Sequence, residues 1–202
     1  MAPPSLTPAR LKAAGIGAFF RPRDLERVEI AFTELQRLVA SGAVEKVGPG
    51  LYRLAAAEPS EFETIAMVAS AVPDGIVCLL SALRLHGIGT QAPHEVWLAL
   101  DRKARKPVRL PAKVRIVRFS GGMLTYGVET RPILGVPVQV TSPARTVVDC
   151  FRYRNKLGLD VALEALRDAI RSRKATVEEI MRAAEVCRAR TVMKTYLEAL
   201  AP

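Results

Sequence analysis

Two carboxylates and a lysine stand out first: Pro73-Asp74, followed by Asp101-Arg102-Lys103. The order matches the loose PD…(D/E)xK pattern of magnesium nucleases, where paired carboxylates hold the metal and the lysine activates water or stabilises charge. The pattern is short, and Pro73-Asp74-Gly75 is equally an ordinary turn. A second set is Thr33, Gln36, Arg37, Lys46 and Arg53. Gln can pair with adenine and Arg with guanine in a major groove, while Lys46 and Arg53 suit phosphate or a minor groove. No GxxxxGK[ST], HExxH or GxSxG motif occurs, and the chain has only 2 histidines. His86 lies in an apolar stretch and reads as a hydrogen-bonded core residue, and His94 beside Pro93 as a loop residue. The 3 cysteines, Cys78, Cys150 and Cys187, lack metal-ligand spacing, and their odd number argues against a disulfide framework. The expectation is a chain without catalytic residues, metal or cofactor, with the nuclease as the alternative.

The second set needs a helix and a hairpin to present it. A helix over about Ile30 to Ser41 places Ala31, Leu35, Leu38 and Val39 on one buried stripe. Thr33, Gln36, Arg37 and Ala40 then turn outward. Gly42 supplies the stop. Upstream, Thr7-Pro8 signals a short helix closed by Gly15, and Pro22 opens another with Asp24 and Glu26 near its positive end. Downstream, "SGAVEKVGPGLYRL" holds two β-prone runs around Gly48-Pro49-Gly50. A lone two-stranded ribbon is marginal in water, so Tyr52 and Leu54 must anchor it to the helices. Three helices and a hairpin in this order predict a winged helix-turn-helix over residues 1–58. Glu29 and Glu34 beside the outward face favour instead a winged-helix adaptor that binds protein.

"AAAEPSE", residues 55–61, reads as a linker to a second domain, 59–202. Phe62, Ile65, Ala66 and Ala69 form a helix stripe ended by Pro73-Asp74-Gly75. "GIVCLLSALRLHGIG" is apolar enough to be buried, and "EVWLAL", "VRIVRF" and "GVPVQVT" read as strands. Ser142-Pro143 caps the helix "PARTVVDCF", and residues 159–200 read as helices, with Thr176 and Glu179 as a capping box. The fold class is α+β: a winged helix-turn-helix, then a mixed α/β domain with a helical C-terminal part.

The net charge of +10 favours polyanionic partners, because each phosphate neutralised releases counterions. The excess is uneven: residues 1–58 carry 8 Lys/Arg against 6 Asp/Glu, and residues 59–202 carry 22 against 14. Arg102, Lys103, Arg105, Lys106, Arg109, Lys113, Arg115 and Arg118 hold eight cations with no acid between them. Such a run is usually a solvated loop; here it can add phosphate contacts or grip an acidic protein. The N-terminus has no apolar run long enough for a signal peptide or membrane span. A cytoplasmic protein is expected.

"GLYRL", then "SALRLHGI", then "GVPVQVTSPARTVVDCF" together resemble the AbiEi-type antitoxins of type IV (abortive infection) toxin–antitoxin systems, across nearly the whole chain. The resemblance implies an N-terminal domain that binds double-stranded promoter DNA and represses its own operon. It implies a C-terminal domain that counters a cognate nucleotidyltransferase-like toxin, with or without a stable complex. Ser81, Leu85, His86 and Gly87 match one segment and Gly135, Arg145, Thr146 and Asp149 another, as architecture rather than as a site. Arg145 and Asp149, at i,i+4 on a helix, can pair with each other.

Overall fold

The computed structural model describes residues 7–198. It is a mixed α and β structure, and by its contacts the chain divides into two compact units. The first takes the described residues up to Asp74 together with Lys106–Lys113 and Thr130–Val138; the second takes Gly75–Arg105, Val114–Glu129 and the chain from Gln139. The division does not follow the expected boundary at 58/59. Residues 55–61 lie inside the first unit, whose sequence is gathered from three separate segments.

The first unit begins with α1 (Pro8–Ala13), where Thr7 Oγ1 accepts from Arg10 N. Gly15 (φ +78) ends it. A short strand, β1 (Phe19–Phe20), leads to α2 (Pro22–Glu26), and α3 (Phe32–Ala40) follows. Asp24 Oδ2 accepts from Arg21 N at 2.8 Å, satisfying a donor at the start of α2. The link between α2 and α3 puts Glu29 in the left-handed region, φ 56. Strands β2 (Val44–Gly48) and β3 (Leu51–Leu54) form a hairpin, and β1 adds to its far side, giving the antiparallel order β1-β3-β2.

Ile30, Leu35, Leu38, Val44, Tyr52 and Leu54 bury a common core, with the Phe20 and Tyr52 rings stacked at 6.0 Å. The hairpin does lean on the helices. Of the expected α3 stripe, Leu35 and Leu38 are buried, whereas Ala31 and Val39 are exposed. The core follows Leu35 and Leu38 one turn back to Ile30 instead. Helix α4 (Glu63–Ala71) packs on β1 and completes this part of the unit.

The second unit holds β4 (Ile76–Val77), α5 (Leu79–His86), β5 (Val96–Asp101) and β6 (Val114–Phe119). A 3₁₀ turn (Gly121–Leu124) precedes the hairpin of β7 (Val128–Ile133) and β8 (Val136–Thr141). The five strands run in the order β6-β5-β4-β8-β7. Strand β4 is antiparallel to β5 and parallel to β8, and β5 and β6 are parallel. The hairpin turn is Leu134–Gly135, both at positive φ (51 and 75), as a type I′ turn requires. That turn belongs to the first unit. Ala18 N donates to Leu134 O at 2.8 Å, and a Cβ on Gly17 would lie 2.6 Å from the Gly135 carbonyl carbon. Only glycine permits so close a backbone approach.

Among the described residues five helices follow β8: α6 (Pro143–Arg152), α7 (Arg154–Leu157), α8 (Leu159–Arg171), α9 (Val177–Val186) and α10 (Arg190–Glu198). The predicted helical span ran to residue 200, of which 199 and 200 fall outside the described residues. The expected caps are present: Ser142 Oγ accepts from Arg145 N, and Thr176 and Glu179 form their reciprocal box. Helix α6 is buried on every side from Ala144 to Phe151, with α5, α8 and α9 around it. No helix among the described residues is long and apolar enough to cross a membrane.

Candidate nucleic-acid interface

With Leu35 and Leu38 held in the core, α3 presents Thr33, Gln36 and Arg37 to solvent. Phe32 joins them, 51% exposed in the first turn of the helix. Sequence reasoning passed over Phe32, because an aromatic residue beside a buried stripe is ordinarily counted with the core. An amide, a guanidinium, a hydroxyl and an apolar ring on one short face match the groups that read base edges and thymine methyls. Glu34 is half-buried, and Glu29 is exposed in the preceding turn.

The hairpin supplies fewer cations than expected. Lys46 is exposed and sits opposite Tyr52. Arg53, however, is held between two carboxylates. Its Nε donates to Glu63 Oε1 at 2.9 Å, and its guanidinium lies 3.9 Å from Glu45 on the facing strand. Glu45 is the cross-strand partner of Arg53, an ordinary attractive pair. Glu63 comes from α4, beyond the presumed linker, so nothing local in the sequence announced it. Arg53 is an internal fastening of the first unit rather than a free cation.

The basic run compensates. Residues 1–74 carry eight Lys/Arg against nine Asp/Glu, and the loop residues Lys106, Arg109 and Lys113, with Arg131, bring the first unit to twelve against nine. These three loop side chains are exposed, and Val108 at their centre is 94% exposed. Pro111 Cβ lies 3.9 Å from where a Cβ on Gly48 would stand, so this segment runs beside the hairpin turn. In the second unit Arg102, Lys103 and Arg105 are also exposed. The last two cations of the run serve structure. Arg118 Nη1 donates to Asp101 O and Ala104 O, both at 2.8 Å, and Arg115 pairs with Glu95 at 2.6 Å over the Trp97 ring.

The residues of the nuclease pattern have plainer duties. Asp74 is exposed in the turn after α4. Asp101 Oδ1 accepts from Lys103 N at 2.7 Å, shaping the turn that opens the basic loop. Among the described residues, no group of three or more His, Cys, Asp or Glu side chains converges as metal ligands do.

Of the segments that carried the family resemblance, "GLYRL" lies in the first core as β3, and the other two supply much of the second. Ser81 Oγ accepts from Trp97 N at 2.9 Å, His86 Nε2 donates to Thr141 O at 2.6 Å, and Gly87 (φ 60) ends α5. Arg145 is fully buried. Its Nε donates to Asp149 Oδ2 at 2.9 Å, Nη1 to Tyr126 O at 2.7 Å and Nη2 to Met123 O at 3.1 Å, with the guanidinium over Phe119. Burial raises Asp149 to about 6 against the opposing pull of Arg145. Burial also lifts the thiols of Cys78, Cys150 and Cys187, the last to about 11. All three are free and buried, which makes them poor nucleophiles.

Comparison with solved structures finds the same fold in a crystal structure of the RV2827C protein from Mycobacterium tuberculosis. The TM-score is 0.53 at 13% identity, over 95% of this chain and 78% of that one. Residues 10–55 match a family model described as "Transcriptional regulator, AbiEi antitoxin". The match spans α1 through β3, under a quarter of the chain. A search of curated proteins found no match.

Proposed function

We propose that the protein is a non-enzymatic, DNA-binding regulator and antitoxin. Its α1–β3 segment acts as a winged helix-turn-helix, with α3 as the recognition helix and the β2–β3 hairpin as the wing. The observation that carries this reading is the outward face of α3 within residues 10–55. A buried Leu35/Leu38 pair aims Thr33, Gln36 and Arg37 away from the core, and the same residues match an antitoxin-regulator family. Docked in a major groove, α3 reads base edges near its N-terminal end, while Lys46 and the loop cations Lys106, Arg109 and Lys113 neutralise flanking phosphates. Arg102, Lys103 and Arg105 extend the same basic run. The DNA would be the promoter of the protein's own operon, and the functional partner a nucleotidyltransferase-like toxin.

The test is a mobility-shift titration of the full chain on its upstream DNA, at two salt concentrations, against Arg37→Ala. Sequence-selective binding that weakens with salt and loses base preference in the variant supports the reading. Unshifted DNA at low salt would favour the protein-binding adaptor.

A further inference from the structure

The first unit contains a cavity of about 310 Å³ that the DNA reading does not use. Its walls include Ile16, Phe19, Phe20 and Val136, all buried apolar residues. Its charged groups are mostly cationic. Arg21, Arg23 and Arg27 line it, and Asp24 is the one acidic residue among the lining side chains. Asp24 is already engaged by Arg21 N. Arg21 Nε is buried and has no hydrogen-bond partner, and Asp24 Oδ2 stands 3.9 Å from it, beyond hydrogen-bonding reach.

A buried guanidinium donor without a partner is costly, and two exposed arginines stand beside this one. Burial and then Arg23 push the Arg21 guanidinium below its ordinary pKa, with Asp24 and Asp74 opposing. Arg23 and Arg27, four residues apart on one helical face, repel each other. A small anion relieves both defects at once. A small anion suits this place better than a duplex phosphate, because the Arg21 side chain is only 19% exposed and lines the cavity. An apolar lining with a few convergent polar groups, at this volume, is the make-up of a small-molecule site.

We propose that this cavity binds a small amphipathic monoanion, a carboxylate with a short apolar body. The body lies on Ile16, Phe19, Phe20 and Val136, and the carboxylate accepts from Arg21 with Arg23 and Arg27 adding charge at the mouth. Ser70, buried in the cavity wall, offers a further hydroxyl.

Calorimetric titration of the full chain with octanoate tests this, with 1-octanol and inorganic phosphate as probes of each half of the ligand. DNA is left out, so failure here leaves the DNA reading untouched. One saturable octanoate site is expected, with 1-octanol and phosphate each weaker by about tenfold or more. Arg21→Gln should weaken octanoate by a similar factor. Arg23→Gln, an exposed position that leaves the fold alone, should weaken it about threefold and decides the matter if Arg21→Gln does not fold. Absence of saturable octanoate binding, octanol binding as tight as octanoate, or unchanged affinity in the variants overturns the proposal.

Discussion

Helices α3 and α6 are similar in length, and each carries an arginine near polar neighbours, yet they put it to opposite use. In α6 the guanidinium of Arg145 is spent within the protein, on Asp149, two carbonyls and a ring face. In α3 the guanidinium of Arg37 faces solvent. Residue type says little about role; what decides it is whether the fold has already used the side chain's donors. The fold uses Arg53 and Arg118 and leaves Arg37, Lys46 and Lys106 in solvent, and that difference separates scaffold from the proposed interface.

The contrast is broken most forcefully at Arg145. Arg145→Ala leaves Asp149 buried without its cation and two carbonyls without a donor. The expected loss is about 3–5 kcal/mol of stability, read from denaturant midpoints, with DNA affinity per folded molecule unchanged. A loss below about 1 kcal/mol, the range of a solvent-exposed pair, would mean the pair is not closed to water.

Acidification sharpens the same point. The folded pKa of Asp149, about 6, lies above its ordinary value, so the folded state holds this proton more tightly than the unfolded state. Its contribution to stability therefore grows as pH falls from about 6 to 4 and is lost as pH rises again through 6. Asp149→Asn cannot titrate. The stability difference between parent and variant should shift in the parent's favour on acidification through that window, and a pH-independent difference would refute the raised pKa.

At the proposed interface the pattern reverses. Arg37→Ala should cost about 1–3 kcal/mol of DNA binding and relax base preference, while stability stays within about 0.5 kcal/mol. Neutralising Lys46, Lys106 and Arg109 together should leave base preference intact and flatten the salt dependence, by about 0.9 units of slope for each phosphate no longer neutralised. Parallel salt plots would remove the hairpin and loop from the DNA. The smallest change expected is at Glu29, whose left-handed backbone (φ 56) suits glycine. Glu29→Gly should gain about 0–1 kcal/mol, and a fall in the melting midpoint would show that its side chain supports the α2–α3 turn.

Much of this was legible locally. Thr7, Ser142 and Thr176 marked helix starts, the strands "EVWLAL" and "VRIVRF" announced themselves by composition, and the outward face of α3 followed from Leu35 and Leu38. What escaped depends on distant partners. Strand β7, "VETRPI", is polar and contains a proline, as befits the outermost strand of its sheet, and so gave no strand signal. Strand β1 is two residues long and exists only because β3 accepts it. Arg53 read as a free cation because Glu63 lay beyond a stretch resembling a linker. The three-segment make-up of the first unit has no local signature.

That make-up bears on how the protein is born. The first unit draws on residues up to Val138, so on the ribosome it cannot close when Asp74 emerges. A further 64 residues must follow, roughly 3–13 s at typical elongation rates of about 5–20 residues per second. During that interval Gly17 waits for Gly135, and Phe19 and Phe20 lack part of their cover. The first unit therefore closes only after half of the chain beyond Asp74 has been translated, including Gly75–Arg105 and Val114–Glu129 of the second unit, which ties the completion of one unit in time to the synthesis of the other.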